Sequence, residues 1–285
     1  MKKIEQINTV ALIGAGVMGK EIAWACARAN MGVRLFDVRP NAAVAARDDV
    51  LRWLNADGCG DKADIITAHD TLFSALADVD LAFESVPENL NLKISVHQEI
   101  EKFLPAHAIQ GSNASALPAS EIAIGLKNPA QFFCMNFTHP RSGEKLVEYM
   151  PGKHTAPEVA KAACGWSERI GMTPIRLKKE IFGYAQNRIW RAIKKEALFL
   201  VENGVASVED IDRGFSLSWG VPEGPFRIMD KVGLDTVLRI EKEYYARSGN
   251  SDDKPSAVLS SLVENGFLGV QSGRGFYNYS EEKKR

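Results

Sequence analysis

The sequence predicts a doubly wound α/β domain, built on a parallel β-sheet, followed by a second domain that is all helical. Short apolar runs typical of buried strands alternate with helical stretches up to about residue 180. Beyond that point the pattern indicates only helices, separated by glycine and proline. We therefore expect one domain over residues 1–180 and another over residues 181–285.

The predicted strands are short apolar runs, the form that strands take in a sheet covered on both faces. They are Thr9–Ile13, Val33–Phe36, Asp64–Thr67, Leu81–Phe83, Ala108–Gln110, Phe132–Phe137 and Pro174–Leu177. The helices predicted in the first domain include Val17–Ala29, Asn41–Ala56, Leu92–Phe103 and Glu158–Ile170. In the second domain, apolar residues three or four positions apart predict one long amphipathic helix over Gly183–Glu202. Such a helix in a small domain favours packing against another subunit, so we expect a homodimer.

Composition and charge exclude several classes of function. The 285 residues carry a net charge of −1, which favours neither nucleic acid nor an anionic membrane as the partner. The polar run over residues 1–5 lacks the apolar core of a signal peptide, and no apolar run is long enough to span a bilayer. The cysteines have no metal-ligand spacing, so we expect reduced thiols, no metal site and a cytoplasmic protein. They are Cys26, Cys59, Cys134 and Cys164.

The strongest motif is GAGVMG at residues 14–19, between a predicted strand and a predicted helix. Its first glycine permits a tight turn, its second lets a pyrophosphate approach the backbone, and its third lets the helix pack against the strand. The start of the helix then offers free N–H groups and a positive dipole end to the phosphates. The residues expected at this Rossmann-type cofactor site are Gly14, Gly16, Val17, Met18 and Gly19.

Asp37 follows the second predicted strand, close to the spacing of roughly 20 residues at which a ribose-binding acid is expected. A carboxylate accepts hydrogen bonds from the ribose 2′-hydroxyl and repels a 2′-phosphate, which favours NAD. Arg39 keeps NADP open, because a nearby arginine can accommodate that phosphate.

Further motifs extend over nearly the whole chain. They are VALIGAGVMG at residues 10–19, ESVPENLNLK at 84–93, SNASALPASEIA at 112–123, KLVE at 145–148, GYAQNR at 183–188, GPFRIMDKVGLDT at 224–236 and GRGFYNY at 273–279. Together they resemble the L-3-hydroxyacyl-CoA dehydrogenase family, whose relatives include carnitine and gulonate dehydrogenases. The resemblance implies an oxidoreductase that transfers a hydride between NAD and a hydroxyl-bearing carbon of a small molecule.

The resemblance also implies site residues. The family's N-x-S, L-V-E and G-F-x-x-N-R motifs place Ser115, Glu148 and Asn187 in the active site. The simpler alternatives are that Ser115 caps a helix near Pro118 and that Asn187 bonds only to backbone. Cofactor contacts are expected from Glu88, Lys93, Asn113, Ser115 and His139.

The family's H-x-x-N-P motif differs here, because Asn136 occupies the place of its histidine and His139 that of its asparagine. Alcohol oxidation needs a proton acceptor, and asparagine cannot be one. His139 is then the base, held by Glu148, with Asn136 binding the substrate oxygen. Alternatively the substrate lies differently and another residue takes the proton, or the protein binds NAD with little catalysis.

The sequence alone leaves the substrate class open. The resemblance implies a 3-hydroxyacyl thioester of coenzyme A. However, the segment between Asp37 and Glu84 is short for the helical arm that contributes to the CoA site in relatives. That favours, as the alternative, a small free hydroxy acid or alcohol, or a carrier-bound hydroxyacyl group. The other histidines are interpreted as surface or packing residues: His69, His97, His107 and His154.

Overall fold

The computed structural model describes residues 7–282, so the N-terminal run at residues 1–5 lies outside the described residues. The chain divides into two compact units, Met1–Asn187 and Arg188–Arg285. This division falls a few residues beyond position 180, where the sequence placed the boundary. Among the described residues, no helix is both long and apolar enough to cross a membrane.

The first unit contains one mixed β-sheet. Its strands are β1 (Thr9–Ile13), β2 (Gly32–Phe36), β3 (Ile66–His69), β4 (Leu81–Glu84), β5 (Ile109–Ser112), β6 (Phe132–Phe137), β7 (Leu146–Pro151) and β8 (Thr173–Arg176). Each run predicted as a strand overlaps one of these, with shifted ends. The strand order is β3-β2-β1-β4-β5-β6-β7-β8, which confirms the doubly wound arrangement.

The sheet is mostly parallel, as the sequence predicted, and it departs from this at one pair of strands. β6 and β7 run antiparallel, because only residues 138–145 connect them. A parallel neighbour needs a crossover of a dozen or more residues, usually a helix. The reversal brings the start of β7 beside the end of β6, so Glu148 lies directly opposite Asn136.

Helices cover both faces of the sheet. They are α1 (Val17–Arg28), α2 (Ala42–Ala56), α3 (Leu72–Leu76), α4 (Leu90–Phe103), α5 (Ala119–Ile122) and α6 (Pro157–Arg169). β1 alternates between two hydrophobic cores, since Val10 and Leu12 pack on one face while Ala11 and Ile13 pack on the other. This double burial explains why the strands have continuous apolar sequences.

α2 is one helix of 15 residues. It ends before Gly58, which has a φ of +72°, in the left-handed region that glycine tolerates. A short 3₁₀ helix over Gly60–Ile65 leads directly into β3. The segment between Asp37 and β4 therefore lacks an extended helical arm, as the sequence predicted.

In the second unit, the described residues form helices joined by turns, with isolated β-bridges and no strand. α7 (Ala185–Glu202) crosses the boundary between the units and is followed by α8 (Val208–Trp219), α9 (Pro225–Val232), α10 (Leu234–Ser248), α11 (Ala257–Glu264) and α12 (Tyr279–Glu282). The core of this unit contains Phe226, Met229, Leu234, Val237 and Leu259.

Two acidic residues connect the C-terminal motifs of the second unit. Asp212 accepts hydrogen bonds from the backbone N–H groups of Phe226 (2.9 Å) and Arg227 (3.0 Å) at the start of α9, and from the Tyr277 hydroxyl (2.9 Å). Asp230 accepts from the N–H groups of Phe276 and Tyr277, both at 3.0 Å. These contacts give the GPFRIMD and GRGFYNY motifs a structural role.

Replacing the buried Asp212 should therefore destabilise the helical unit. We expect Asp212→Ala to lower the free energy of unfolding by about 3 kcal/mol, because several donors lose their acceptor. Urea unfolding followed by circular dichroism measures this change. The exposed Glu264→Ala is the control and should differ from the wild type by less than about 0.5 kcal/mol. Equal stability of the two variants would contradict the structural role of Asp212.

Candidate active site

The glycine-rich turn lies where the strand order changes direction, between β1 and β4. Gly14 has a φ of +107°, and a Cβ there would lie 2.7 Å from the Ser85 carbonyl oxygen beyond β4. A Cβ at Gly19 would collide with the Gly14 carbonyl. At Gly16 nothing lies within 4 Å of a Cβ position. The first and third glycines therefore serve packing, while the second faces open space that a ligand can occupy.

The start of α1 is prepared for an anion. No side chain caps the helix and its first turn contains no acidic residue, so its N–H groups remain available to phosphates. Val17, the first helical residue, is 61% exposed, whereas Met18 packs against the core. The turn and the start of the helix have the features of the phosphate cradle that the sequence predicts.

Asp37 lies just after β2, beside this turn. Its carboxylate accepts hydrogen bonds from the backbone N–H groups of Ala15 (2.8 Å) and Arg39 (2.9 Å) and from the Arg39 guanidinium (2.9 and 3.0 Å). Burial raises the pKa of Asp37, but the guanidinium and the backbone donors outweigh it and hold the pKa below its usual value. Asp37 is therefore charged near neutral pH, as a ribose-binding acid must be.

Glu88 organises the loop after β5. One of its oxygens, Oε1, accepts hydrogen bonds from the backbone N–H groups of Ser115 (2.9 Å), Ala116 (2.8 Å) and Leu117 (3.4 Å). The Asn187 amide donates to the Ser115 carbonyl oxygen at 2.9 Å. Asn187 therefore bonds to backbone, and this backbone belongs to another predicted site residue.

The helix-capping alternative for Ser115 does not hold for α5. That helix begins at Ala119, and its N-cap residue, Pro118, makes no side-chain capping bond. Ser115 is exposed, and its hydroxyl makes no hydrogen bond to the described part of the chain. The hydroxyl is thus available to a ligand.

Asn113 fixes the ends of three strands. Its Oδ1 accepts a hydrogen bond from the Phe137 N–H at 3.2 Å, and its Nδ2 donates to the Ser85 hydroxyl at 3.3 Å. β4, β5 and β6 are therefore connected at the edge where the glycine-rich turn lies.

Glu148 is 1% exposed and caps a helix. Its Oε1 accepts hydrogen bonds from the backbone N–H groups of Ala185 and Gln186, each at 3.0 Å, at the start of α7. Opposite it on β6, the half-buried amide of Asn136 makes no hydrogen bond within residues 7–282. Ser115, Asn136, Glu148 and Asn187 therefore lie on connected elements at one edge of the sheet.

His139 has a different partner from the one expected. Its Nδ1 lies 3.2 Å from Glu21 Oε1 on α1, while Glu148 is engaged by α7. The other Glu21 oxygen accepts a hydrogen bond from the Arg141 N–H at 3.3 Å. The expected pairing of His139 with Glu148 is corrected to one with Glu21, because His139 lies beyond the end of β6, on the side of α1.

Lys93 also differs from expectation. Its ammonium is completely buried, 2.8 Å from Glu84 Oε1 and 3.5 Å from Glu88 Oε2. It is therefore not exposed on the surface of the described chain, and its contact with Glu88 links it to the predicted site. Glu84 was not among the predicted site residues, although its place at the end of the buried run LAFE required a partner.

Ion pairing holds Glu84 in its charged form. Burial raises the pKa of its carboxyl group, but the hydrogen bond from His97 and the charge of Lys93 outweigh burial and lower the pKa to about 2. His97 lies four residues after Lys93 on α4, so both face Glu84. That spacing is the signal in the sequence that could have identified this cluster.

Metal and thiol chemistry receive no support. Among the described residues no group of three or more histidine, cysteine, aspartate or glutamate side chains could hold a metal ion. The four cysteines are free, and only Cys59 is not buried. Burial raises the pKa of Cys26 to about 12, so this thiol remains protonated.

The turn at the change in strand order, the acid after β2 and the polar cluster at the ends of β5 and β6 define a dinucleotide-dependent dehydrogenase. Residues 9–181 match the NAD-binding domain of 3-hydroxyacyl-CoA dehydrogenase, and residues 183–279 match the C-terminal domain of the same family. The chain therefore belongs to the 3-hydroxyacyl-CoA dehydrogenase family, which confirms the resemblance, and NAD is its cofactor.

Individual relatives are similar over nearly their whole lengths. A probable 3-hydroxybutyryl-CoA dehydrogenase of Bacillus subtilis is 33% identical, covering 97% of this chain and 99% of that protein. A 5-formyl-3-hydroxy-2-methylpyridine 4-carboxylate 5-dehydrogenase of Mesorhizobium japonicum is 29% identical, covering 98% and 93%. The crystal structure of (S)-3-hydroxybutyryl-CoA dehydrogenase from Ralstonia eutropha has a TM-score of 0.89 at 29% identity, covering 96% and 99%.

The lowered pKa of Glu84 predicts how stability depends on pH. A folded-state pKa of about 2, against an unfolded value near 4.3, contributes on the order of 3 kcal/mol above the unfolded pKa. This contribution is lost as pH falls from about 4.5 towards 2. We expect Glu84→Gln to be less stable than the wild type at pH 7, with a gap that narrows below about pH 4.5. Urea unfolding between pH 7 and 3 measures the gap.

The exposed Glu264→Gln is the matched control, since the same substitution there should leave stability unchanged at every pH. A constant gap between wild type and Glu84→Gln across this range would show that the lost interaction is not electrostatic.

Proposed function

We propose that the protein transfers a hydride between NAD and the hydroxyl-bearing carbon of a 3-hydroxyacyl thioester, in the manner of a 3-hydroxyacyl-CoA dehydrogenase. The observation that carries this proposal is the group of free polar side chains, the Ser115 hydroxyl and the Asn136 amide, beside the nucleotide-binding edge. Both can donate a hydrogen bond to the oxygen of a substrate. Relatives named for 3-hydroxybutyryl-CoA support the substrate class.

His139 is the proton acceptor in this proposal. Its Nδ1 faces the Glu21 carboxylate at 3.2 Å, which orients the ring. Its Nε2 makes no hydrogen bond to the part of the chain that is described, and the side chain is 55% exposed. During oxidation His139 Nε2 would accept the proton of the substrate hydroxyl, and bound NAD would accept the hydride from the carbon that bears this hydroxyl.

Binding roles follow from the same contacts. Glu88 fixes the backbone of Ser115, and Asn187 fixes its carbonyl, so the hydroxyl is held ready for the substrate oxygen. The phosphate cradle and Asp37 bind NAD, with Asn113 holding the strand ends beneath it. Glu148 anchors the start of α7 and thereby the position of Asn187.

The second candidate substrate is a small free hydroxy acid or alcohol, or a carrier-bound hydroxyacyl group. The absence of an extended arm among the described residues after α2 favours it, since the arm contributes to the CoA site in relatives. The Mesorhizobium japonicum relative is named for a pyridine carboxylate and not for a thioester. The thioester remains the first proposal because both domains match the acyl-CoA family.

A homodimer formed by the helical unit is part of the proposal. Large apolar side chains are exposed there, with Phe199 at 53%, Leu217 at 79% and Trp219 at 73%. Exposed apolar patches of this kind mark association surfaces. The cytoplasm is the proposed location, supported by cysteines that are all unpaired.

A matched substrate panel tests the proposed substrate. NADH formation is measured with a short 3-hydroxyacyl-CoA, the same acid without coenzyme A, and a simple secondary alcohol. We expect kcat/KM for the thioester to exceed that for the free acid by about 100-fold or more, a difference of roughly 3 kcal/mol in transition-state binding. A preference for the free acid would instead select the second candidate.

Substitution of His139 tests the proton acceptor. We expect His139→Asn to lower kcat by about two to four orders of magnitude, and Glu21→Gln to lower it less, because the ring loses only its orienting partner. His107→Asn makes the same chemical change outside the site and should retain wild-type kcat. NADH affinity is measured in parallel by fluorescence titration. A His139→Asn variant with wild-type kcat would remove His139 from the mechanism.

A further inference from the structure

A cluster of buried polar side chains lies beneath the nucleotide-binding edge. Its members come from β4, β5 and α4 and are at most 1% exposed: Glu84, Lys93, His97, Gln110 and Ser112. Ionisable groups are almost never buried so completely unless they are paired. The pairing within this cluster therefore determines whether the fold can tolerate it.

Glu84 is the centre of the cluster. Its Oε1 lies 2.8 Å from Lys93 Nζ and accepts a hydrogen bond from the Val86 N–H at 2.6 Å. Its Oε2 accepts from the Ser112 hydroxyl at 2.7 Å and lies 3.3 Å from His97 Nε2. The two oxygens are thus divided between two nitrogen bases, Lys93 and His97.

His97 lies between two side-chain oxygens. Nε2 faces the Glu84 carboxylate, and Nδ1 faces the Gln110 side-chain oxygen at 3.0 Å. A ring that carries hydrogen on both nitrogens would donate to each of these oxygens. The ring packs edge-on against Phe132, with centroids 4.7 Å apart, which excludes water from it.

With such a ring, charge would balance across the cluster and its neighbour Glu88. The carboxylates of Glu84 and Glu88 would then be matched by Lys93 and the doubly protonated ring of His97. Lys93 Nζ lies closer to Glu84 (2.8 Å) than to Glu88 (3.5 Å). Without the charge on His97, Glu84 would draw Lys93 more strongly and weaken its hold on Glu88.

Glu88 transmits this effect to the active site. Its Oε1 holds the backbone N–H groups of Ser115, Ala116 and Leu117. A continuous series of polar contacts therefore connects buried His97, through Glu84 and Lys93, to the loop that carries the Ser115 hydroxyl.

We propose that His97 is a positioning residue, a buried imidazolium whose charge keeps Lys93 on Glu88 and so fixes the Ser115 loop at the nicotinamide end of the cofactor site. The expected effect on turnover rests on the proposed function of Ser115. The expected loss of NADH affinity and the expected protonation of the His97 ring do not depend on that function.

His97→Gln tests the charge, because glutamine can still donate a hydrogen bond to Glu84 but carries no charge. We expect kcat to fall by about 10- to 100-fold, as for a modest displacement of a binding group, and NADH affinity to weaken severalfold. The urea midpoint of this variant should remain well above the assay conditions. Phe132→Leu is the control, since it loosens packing around the ring and leaves every charge in place. It should retain kcat within about threefold.

Nitrogen-15 NMR of the histidine rings in the wild type gives the second measurement, with His97→Gln identifying the signal. Two protonated ring nitrogens at pH 7 support the proposal, and a neutral tautomer overturns it. Wild-type kcat and NADH affinity in His97→Gln also overturn it, as does an equal loss in Phe132→Leu. If the wild type turns over no substrate, the proposed function fails, while NADH affinity and the NMR signal still decide the role of His97.

Discussion

The ion pair between Glu84 and Lys93 connects the two parts of the predicted site, the glycine-rich turn and the loop of Ser115. Glu84 ends β4, where the strand order changes direction, and the next residue, Ser85, contacts Gly14 in the nucleotide turn. Lys93, on α4, extends from Glu84 to Glu88, which holds the loop of Ser115. A buried carboxylate without a cation would be costly. The same pairing that makes it tolerable therefore connects the end of β4, beside the glycine-rich turn, to the loop of Ser115.

Local patterns in the sequence were sufficient to predict the doubly wound fold and NAD as the cofactor. GAGVMG acts through the conformation of its own turn, and Asp37 follows it at a spacing that is typical of dinucleotide-binding folds. The same holds for α2, whose end at Gly58 was readable from composition. The antiparallel β7 was not predicted, because alternation of strand and helix says nothing about a connection without a helix.

Pairings between distant segments could not be predicted in the same way. His139 and Glu21 are 118 positions apart, and only the packing of α1 against the turn after β6 brings them together. Lys93 was assigned to the cofactor because it matches a family position near the nicotinamide ribose, yet its side chain points to Glu84. Tertiary packing determines which residue pairs with a charged side chain. The sequence shows only that a buried charged side chain needs a partner.

The two exchanged residues, Asn136 and His139, have different neighbours in the fold. A histidine at position 136 would lie on β6 directly opposite Glu148, whereas at position 139 it lies beyond the strand and beside α1. Glu148 remains buried because the first N–H groups of α7 still need an acceptor. The carboxylate therefore keeps a structural role that does not require a histidine next to it. Glu21 supplies a carboxylate beside position 139, so the proposed proton acceptor and its partner lie at the helix that begins at the glycine-rich turn, and not on the inner strands.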